Sequence, residues 1–182
     1  MSREGAGARL PSQPMREVVL ISTGGTIEKT YDERSGVLEN RASIVHRMLR
    51  RLRLEETDVR HVELLSKDSL DLDDHDRTRI VEAVRLHGET AAGVVVLHGT
   101  DTLQTTGEKL WSEIGTQLGR PIVLVGAMRP YEMTRSDALQ NLTEAIFATG
   151  VLPPGVYCVA HGRALAFPGV VKDRDRQTFV KR

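Results

Sequence analysis

A single cysteine, Cys158, excludes a disulfide within the chain and suits a reducing compartment. There is no excess of charge of either sign: 25 lysines and arginines stand against 25 aspartates and glutamates. A neutral chain offers no broad basic field to a nucleic acid or an anionic membrane. Long apolar runs are missing too. Val94-Val95-Val96-Leu97 is typical of the longest, far short of the roughly 20 residues that cross a bilayer. The opening MSREGAGARLPSQPMR has no apolar centre and is not a secretory signal. We therefore expect residues 1–16 to form a loose tail, residues 17–182 to form one domain, and the protein to be cytoplasmic. The six histidines show no metal-ligand spacing with cysteine or acids, so no metal is expected. The glycine-rich turns are neither G-x-G-x-x-G nor a Walker loop, which argues against a bound nucleotide.

What is present is a regular alternation. Glu17–Ser22, His61–Leu65, Gly93–Leu97, Pro121–Val125 and Val156–Ala160 are short Val- and Leu-rich runs, as in strands buried on both faces of a parallel sheet. Between them lie stretches with apolar residues at helical spacing. Ser43 opens one running to about Arg53; Asp73 or Asp74 caps another ending at Gly88. A third carries Leu103, Leu110, Trp111 and Ile114, and a fourth follows Ser136 or Asp137 and closes at Gly150. Strands alternating with helices predict an α/β domain, Rossmann-like or flavodoxin-like, in three αβα layers with right-handed crossovers. The basic stretch His46–Arg53 reads as the solvated face of a helix whose other face holds Ile44, Val45, Met48, Leu49 and Leu52. Asp71, Asp73, Asp74 and Asp76 read as a solvated helix start, Cys158 as a core residue, Thr23–Asn40 as a long loop, and Lys172–Arg182 as surface.

In such sheets ligands bind outside the carboxyl ends of the strands. Two strands end there in hydroxyl-rich turns: Ser22-Thr23-Gly24-Gly25-Thr26 and His98-Gly99-Thr100-Asp101-Thr102. Glycines permit close backbone approach, and the amides beside them suit a developing oxyanion. A threonine becomes a nucleophile when a neighbour takes its proton. Asp101 is placed either to assist Thr100 or to cap the following helix. Residue chemistry alone thus points to a hydrolase with a hydroxyl nucleophile or to a small-ligand module, with Thr26, Ser66, Thr100, Asp101 and Arg129 converging at one sheet edge.

The sequence resembles the type I/II (bacterial-type) L-asparaginase family. Ser22-Thr23-Gly24-Gly25-Thr26-Ile27 and Leu97-His98-Gly99-Thr100-Asp101-Thr102 carry the resemblance, with Val125-Gly126-Ala127-Met128-Arg129-Pro130 and Ser136-Asp137 as further blocks, over about residues 17–175. It implies hydrolysis of L-asparagine to L-aspartate and ammonia through an acyl-enzyme, without a cofactor. Thr26 would be the nucleophile, assisted by Tyr31 in the loop after it; Thr100, Asp101 and Lys172 would form the second catalytic group. Gly25, Ser66, Asp68, Gly99, Thr100 and Asp101 would bind substrate, with Ser66 on the carboxylate and Asp101 on the α-ammonium. Where the family commonly has glutamine after that serine, Lys67 stands here, and Asp68 would compensate. The resemblance further implies a homo-oligomer, dimer or tetramer, acting on a small molecule and on neither nucleic acid nor membrane. The family's smaller C-terminal domain has no counterpart in these residues, so a short single-domain form with a more open site and a raised KM is expected. Two rival readings are a catalytically impaired amino-acid-binding or regulatory module, and a subunit like the asparaginase-like part of a tRNA-dependent amidotransferase.

Overall fold

Our computed structural model describes residues 14–182. The elements run β1 (Arg16–Gly24), β2 (Thr30–Asp32), β3 (Val37–Glu39), α1 (Val45–Leu49), β4 (Thr57–Lys67), α2 (Asp74–Gly88), β5 (Gly93–Leu97), α3 (Leu103–Glu113), β6 (Pro121–Val125), α4 (Ala138–Ala148), β7 (Gly155–Ala160), β8 (Arg163–Ala166), β9 (Val170–Asp173) and β10 (Thr178–Lys181). The main sheet has the order β4-β1-β5-β6-β7-β8. Its first five members are parallel, and β8 adds an antiparallel edge. The parallel strands thus follow the flavodoxin-like order, with β1 inside. The chain winds outward from β1 to β4, then returns to β5 on the other side. That reversal opens a crevice between the carboxyl ends of β1 and β5, where Ser22 pairs with Leu97.

Both faces of the sheet are covered, because alternate strand residues point to opposite sides. Val19, Ile21, Val94, Val96, Ile122 and Leu124 pack with Ile80 and Val84 of α2 and Leu103 and Leu110 of α3. Val18, Leu20, Val95, Leu97, Val123 and Val125 pack with Met48 of α1 and Leu142 and Ile146 of α4. Cys158 is buried in the first of these layers, and burial pushes its thiol pKa up. The predicted αβα layering is therefore the observed one.

Several boundaries differ from the sequence-based expectation. Of the tail predicted over residues 1–16, residues 1–13 lie outside the described residues, and Arg16 already opens β1. The expected loop over Thr23–Asn40 holds the β2–β3 hairpin. α1 is short, since its end tightens into i→i+3 bonds from Arg51 and Leu52 to Met48 and Leu49. Asp76 is not solvated: it completes the capping box of α2 with Asp73, and its buried carboxylate accepts from Lys67 Nζ at 2.6 Å. Trp111 is exposed on α3. The expected surface stretch Lys172–Arg182 forms most of the β9–β10 hairpin, with Phe179 buried against the core. The buried Phe179 side chain docks the hairpin on the core, and that is what brings Lys172 to the crevice. Among the described residues, no helix is long and apolar enough to cross a membrane.

Candidate active site

The crevice is built from backbone pressed on backbone. Gly24, the last residue of β1, and Gly25 after it have φ of +95° and +80°, a region that disfavours side chains. A Cβ on Gly25 would lie 2.4 Å from both Cα and N of Gly99. On the other flank of the same turn, a Cβ on Gly126 would lie 2.5 Å from His98 O and 3.0 Å from Thr100 Cγ2. The His98-Gly99-Thr100 turn is therefore held between two glycine-bearing turns, and Thr26 and Thr100 each follow a glycine of the closest contact. Thr23 Oγ1 donates to Leu97 O at 2.8 Å and adds a side-chain tie between the strands. His98 is wholly buried, which lowers its pKa to about 4. The neutral ring donates from Nδ1 to Gly99 O and accepts at Nε2 from Thr106 Oγ1, both at 2.8 Å. It is thus a fixed strut under the turn, and it fixes its own tautomer because Gly99 O can only accept.

Lys172 reaches this turn from β9. Its side chain is 10% exposed, and Nζ donates to Thr100 Oγ1 at 2.7 Å and to Asp101 Oδ1 at 3.0 Å. The Lys172 amide donates to Gln104 Oε1 of α3 at 2.8 Å, which anchors the hairpin beside the turn. Arg174, two residues on, places its guanidinium 3.3 Å from the same Asp101 oxygen. A second tie reaches the hairpin from the rim. Asp137 accepts from the amides of Met128 and Arg129 and from His161 Nε2, while His161 Nδ1 lies 3.1 Å from Thr178 Oγ1 of β10.

The Thr26 turn has its own buried acid. Thr26–Glu28 form one 3-10 turn after Gly25. Glu28 is buried beneath it, accepting from Gly24 N at 3.1 Å and from the Ser43 hydroxyl. Burial raises its pKa from 4.5 to about 7, against the lowering effect of those bonds. A raised carboxyl pKa means the folded state binds the proton more tightly. The stabilisation is then complete below pH 4.5 and is lost as pH rises through about 7. Glu28→Gln, which keeps an acceptor without the charge, is expected to remove that loss. In urea titrations between about pH 5 and 8, wild type should lose on the order of 3 kcal/mol more than the variant. Parallel pH profiles would overturn the assignment.

The structure brings Gly25, Thr26, Gly99, Thr100, Asp101 and Lys172 together, and separates other residues singled out in the sequence. Ser66 is exposed at the end of β4, its hydroxyl donating to Arg41 O at 2.8 Å. Ser69 occupies the crevice floor instead: a Cβ on Gly99 would lie 2.5 Å from Ser69 Cβ, and Thr102 Oγ1 donates to Ser69 O at 2.7 Å. The reason is local. β4 continues to Lys67, and Asp68 then caps a 3-10 turn that tucks Ser69 inward. The Asp–Ser step at a strand end was the available signal. Asp68 caps Leu70 N through Oδ1 and binds Lys29 Nζ through Oδ2 at 2.6 Å. Tyr31 is 58% exposed on β2, its hydroxyl 3.8 Å from where a Cβ on Gly36 of the same hairpin would lie. Arg129 is exposed and donates to Thr134 O. The ligand atoms of Asp73, His75 and Asp76 lie within 4.8 Å of one another, but both carboxylates already serve the α2 cap.

Comparison with known proteins matches residues 17–178 to the family model described as Asparaginase, N-terminal. The chain is 30% identical to L-asparaginase 1 of Escherichia coli (strain K12) over 143 residues, covering 76% of this chain and 41% of that protein. It is 29% identical to a glutamyl-tRNA(Gln) amidotransferase subunit of Methanococcus vannielii over 151 residues, covering 81% of this chain and 35% of that protein. Among solved structures, the thermostable L-asparaginase from Thermococcus kodakarensis superposes with a TM-score of 0.80 at 26% identity, covering 91% of this chain and 51% of that one. The chain therefore spans about a third to a half of the length of these relatives.

Proposed function

Because this chain belongs to the asparaginase family, we propose that it is an amidohydrolase that releases ammonia from the side-chain amide of L-asparagine. The observation that carries this reading is the Lys172–Thr100 hydrogen bond of 2.7 Å beside the Gly25–Gly99 contact. A pure binding module has no need of two threonine hydroxyls at one crevice with a shielded lysine on one of them. In the proposed reaction Thr26 Oγ attacks the amide carbon, and the glycine-turn amides stabilise the oxyanion. The C–N bond breaks, and the nitrogen takes a proton and leaves as ammonia. Water then adds to the ester carbon, with Thr100 and Lys172 relaying its proton, and the Thr26 oxygen is released with aspartate. Ser69 and the amides around it are our candidates for the substrate carboxylate. We also propose a homo-oligomer as the working form, as the resemblance implied.

The relatives' names divide between L-asparaginase and a glutamyl-tRNA(Gln) amidotransferase. Glutamine therefore belongs in the assay beside asparagine. Ammonia release from each is measured for wild type and Thr26→Val, which keeps the branched shape and removes the hydroxyl. We expect turnover of asparagine in wild type and a loss of at least about 10³-fold in the variant. Turnover retained by Thr26→Val would reassign the nucleophile. No turnover by wild type of either amide would overturn the reading.

A further inference from the structure

Among the described residues two carboxylic acids are buried, Glu28 and Asp76, and their surroundings differ. Asp76 has Lys67 Nζ at 2.6 Å and Arg79 at 3.8 Å, and Lys67 holds its carboxyl below the usual carboxylate range. Glu28 has only neutral partners. Its Oε2 accepts from Gly24 N at 3.1 Å, its Oε1 bonds the Ser43 hydroxyl, and the Ile44 amide faces it before α1. From β4 it meets the exposed Glu63, a charge of like sign, which also accepts from Ser43 N at 3.4 Å. The other titratable groups of these elements are His61 of β4 and His46 of α1, whose rings lie 5.3 Å apart. His61 Nε2 sits 2.8 Å from Ser22 Oγ of β1, and burial, with His46 beside it, keeps that ring below the usual histidine range. A buried carboxylate without a cation is costly, so this pocket favours the neutral acid. The Glu28 bond to Gly24 closes a loop that contains Gly25 and Thr26. Neutral, the acid clamps that turn without adding charge. Ionised, it sets a negative charge beneath the amides that would meet the oxyanion.

We propose that Glu28 is the positioning residue of the Thr26 turn, and that it acts as a proton switch: the protonated acid supports amide hydrolysis and the carboxylate suppresses it. The inference rests on the amidohydrolase reading and concerns the regulation of that same site. Burial sets the range of the switch by raising the Glu28 pKa to about 7. The group is protonated below that value, so its support is complete at acid pH and is withdrawn as pH rises through it.

Two measurements test it on the full chain. The first is kcat/KM for ammonia release from L-asparagine as a function of pH, in wild type and Glu28→Gln. The glutamine amide accepts from Gly24 N and donates to Ser43 without ionising. Between about pH 5.5 and 8.5 the ratio of variant to wild type should rise about tenfold or more, the scale of a unit charge acting across one turn. Titration elsewhere in the crevice is common to both proteins and cancels in the ratio. A ratio that stays flat, whether near one or far below it, overturns the proposal and leaves amide hydrolysis intact. The second measurement needs no turnover: the amide resonances of Gly24, Gly25 and Thr26 are followed by NMR over the same range. They should shift together in wild type with a midpoint of about 7 and stay fixed in Glu28→Gln. Shifts that persist in the variant belong to His61 or His46 and overturn the proposal, as does their absence from wild type. If neither asparagine nor glutamine is hydrolysed while the shifts are confined to wild type, the switch in the turn stands and the amidohydrolase reading falls.

Discussion

Lys172→Met is expected to lower kcat for ammonia release by about 10² to 10⁴-fold, the range of a lost positioned acid or base. Methionine keeps much of the length and the apolar stem of the lysine while removing the nitrogen that binds Thr100 and Asp101. The fold should tolerate the exchange. Asp101 retains Arg174, and the hairpin retains the Lys172 amide bond to Gln104 and the buried Phe179. A variant with wild-type melting and substrate KM but collapsed kcat would place the nitrogen in the proton relay rather than in binding. Activity within about tenfold of wild type would remove Lys172 from the chemistry. A matching loss of stability would make its role structural.

Gly25→Ala is expected to cost more than any ordinary turn substitution. Two penalties add: the positive φ of +80° and a Cβ placed 2.4 Å from the Gly99 backbone. Left-handed backbone costs about 1 to 2 kcal/mol for an alanine, and forced overpacking typically about 1 to 3 kcal/mol more. We therefore expect urea unfolding to show a loss of about 2 to 5 kcal/mol. Activity should fall further than stability predicts, since the Thr26 and Thr100 turns must separate to admit the methyl group. Gly36→Ala provides the control. Its φ is a similar +71°, but the nearest atom to an added Cβ is Tyr31 Oη at 3.8 Å. It should show only the conformational penalty. If the two variants lose the same stability and activity, the close approach of the two turns does not govern the site.

The parallel layers were legible because their signal is redundant. β5 and β6 are buried on both faces, so every residue of Gly93–Leu97 and Pro121–Val125 is apolar or small, and the runs end where their strands do. The capping aspartate of α2 was equally plain, since a side chain that caps a helix acts on backbone only a few residues away. The β8, β9 and β10 strands were not legible. They are four residues each and sit at an edge or in a hairpin, where one face is wet and few apolar residues are required.

The site divides along the same line. By itself the sequence determined the two glycine–threonine turns and the fact that they end parallel strands at one edge, because strand direction follows from the β-α-β alternation. Lys172 was recognised only through family resemblance; nothing in Lys172–Arg182 marks it as shielded. Tertiary structure alone decided four things. It put Ser69 rather than Ser66 on the crevice floor, because β4 runs past Ser66 and Asp68 caps the turn that brings Ser69 inward. It left Tyr31 exposed on the β2–β3 hairpin, its hydroxyl near Gly36. It buried Glu28 under the Thr26 turn, where burial governs its proton affinity. It also gathered Lys29 and Arg174 onto Asp68 and Asp101. Local backbone preferences act over a few residues and can be read from their order. Burial and charge pairing act between residues far apart in the chain, 71 positions for Lys172 and Asp101, and exist only once the chain has folded.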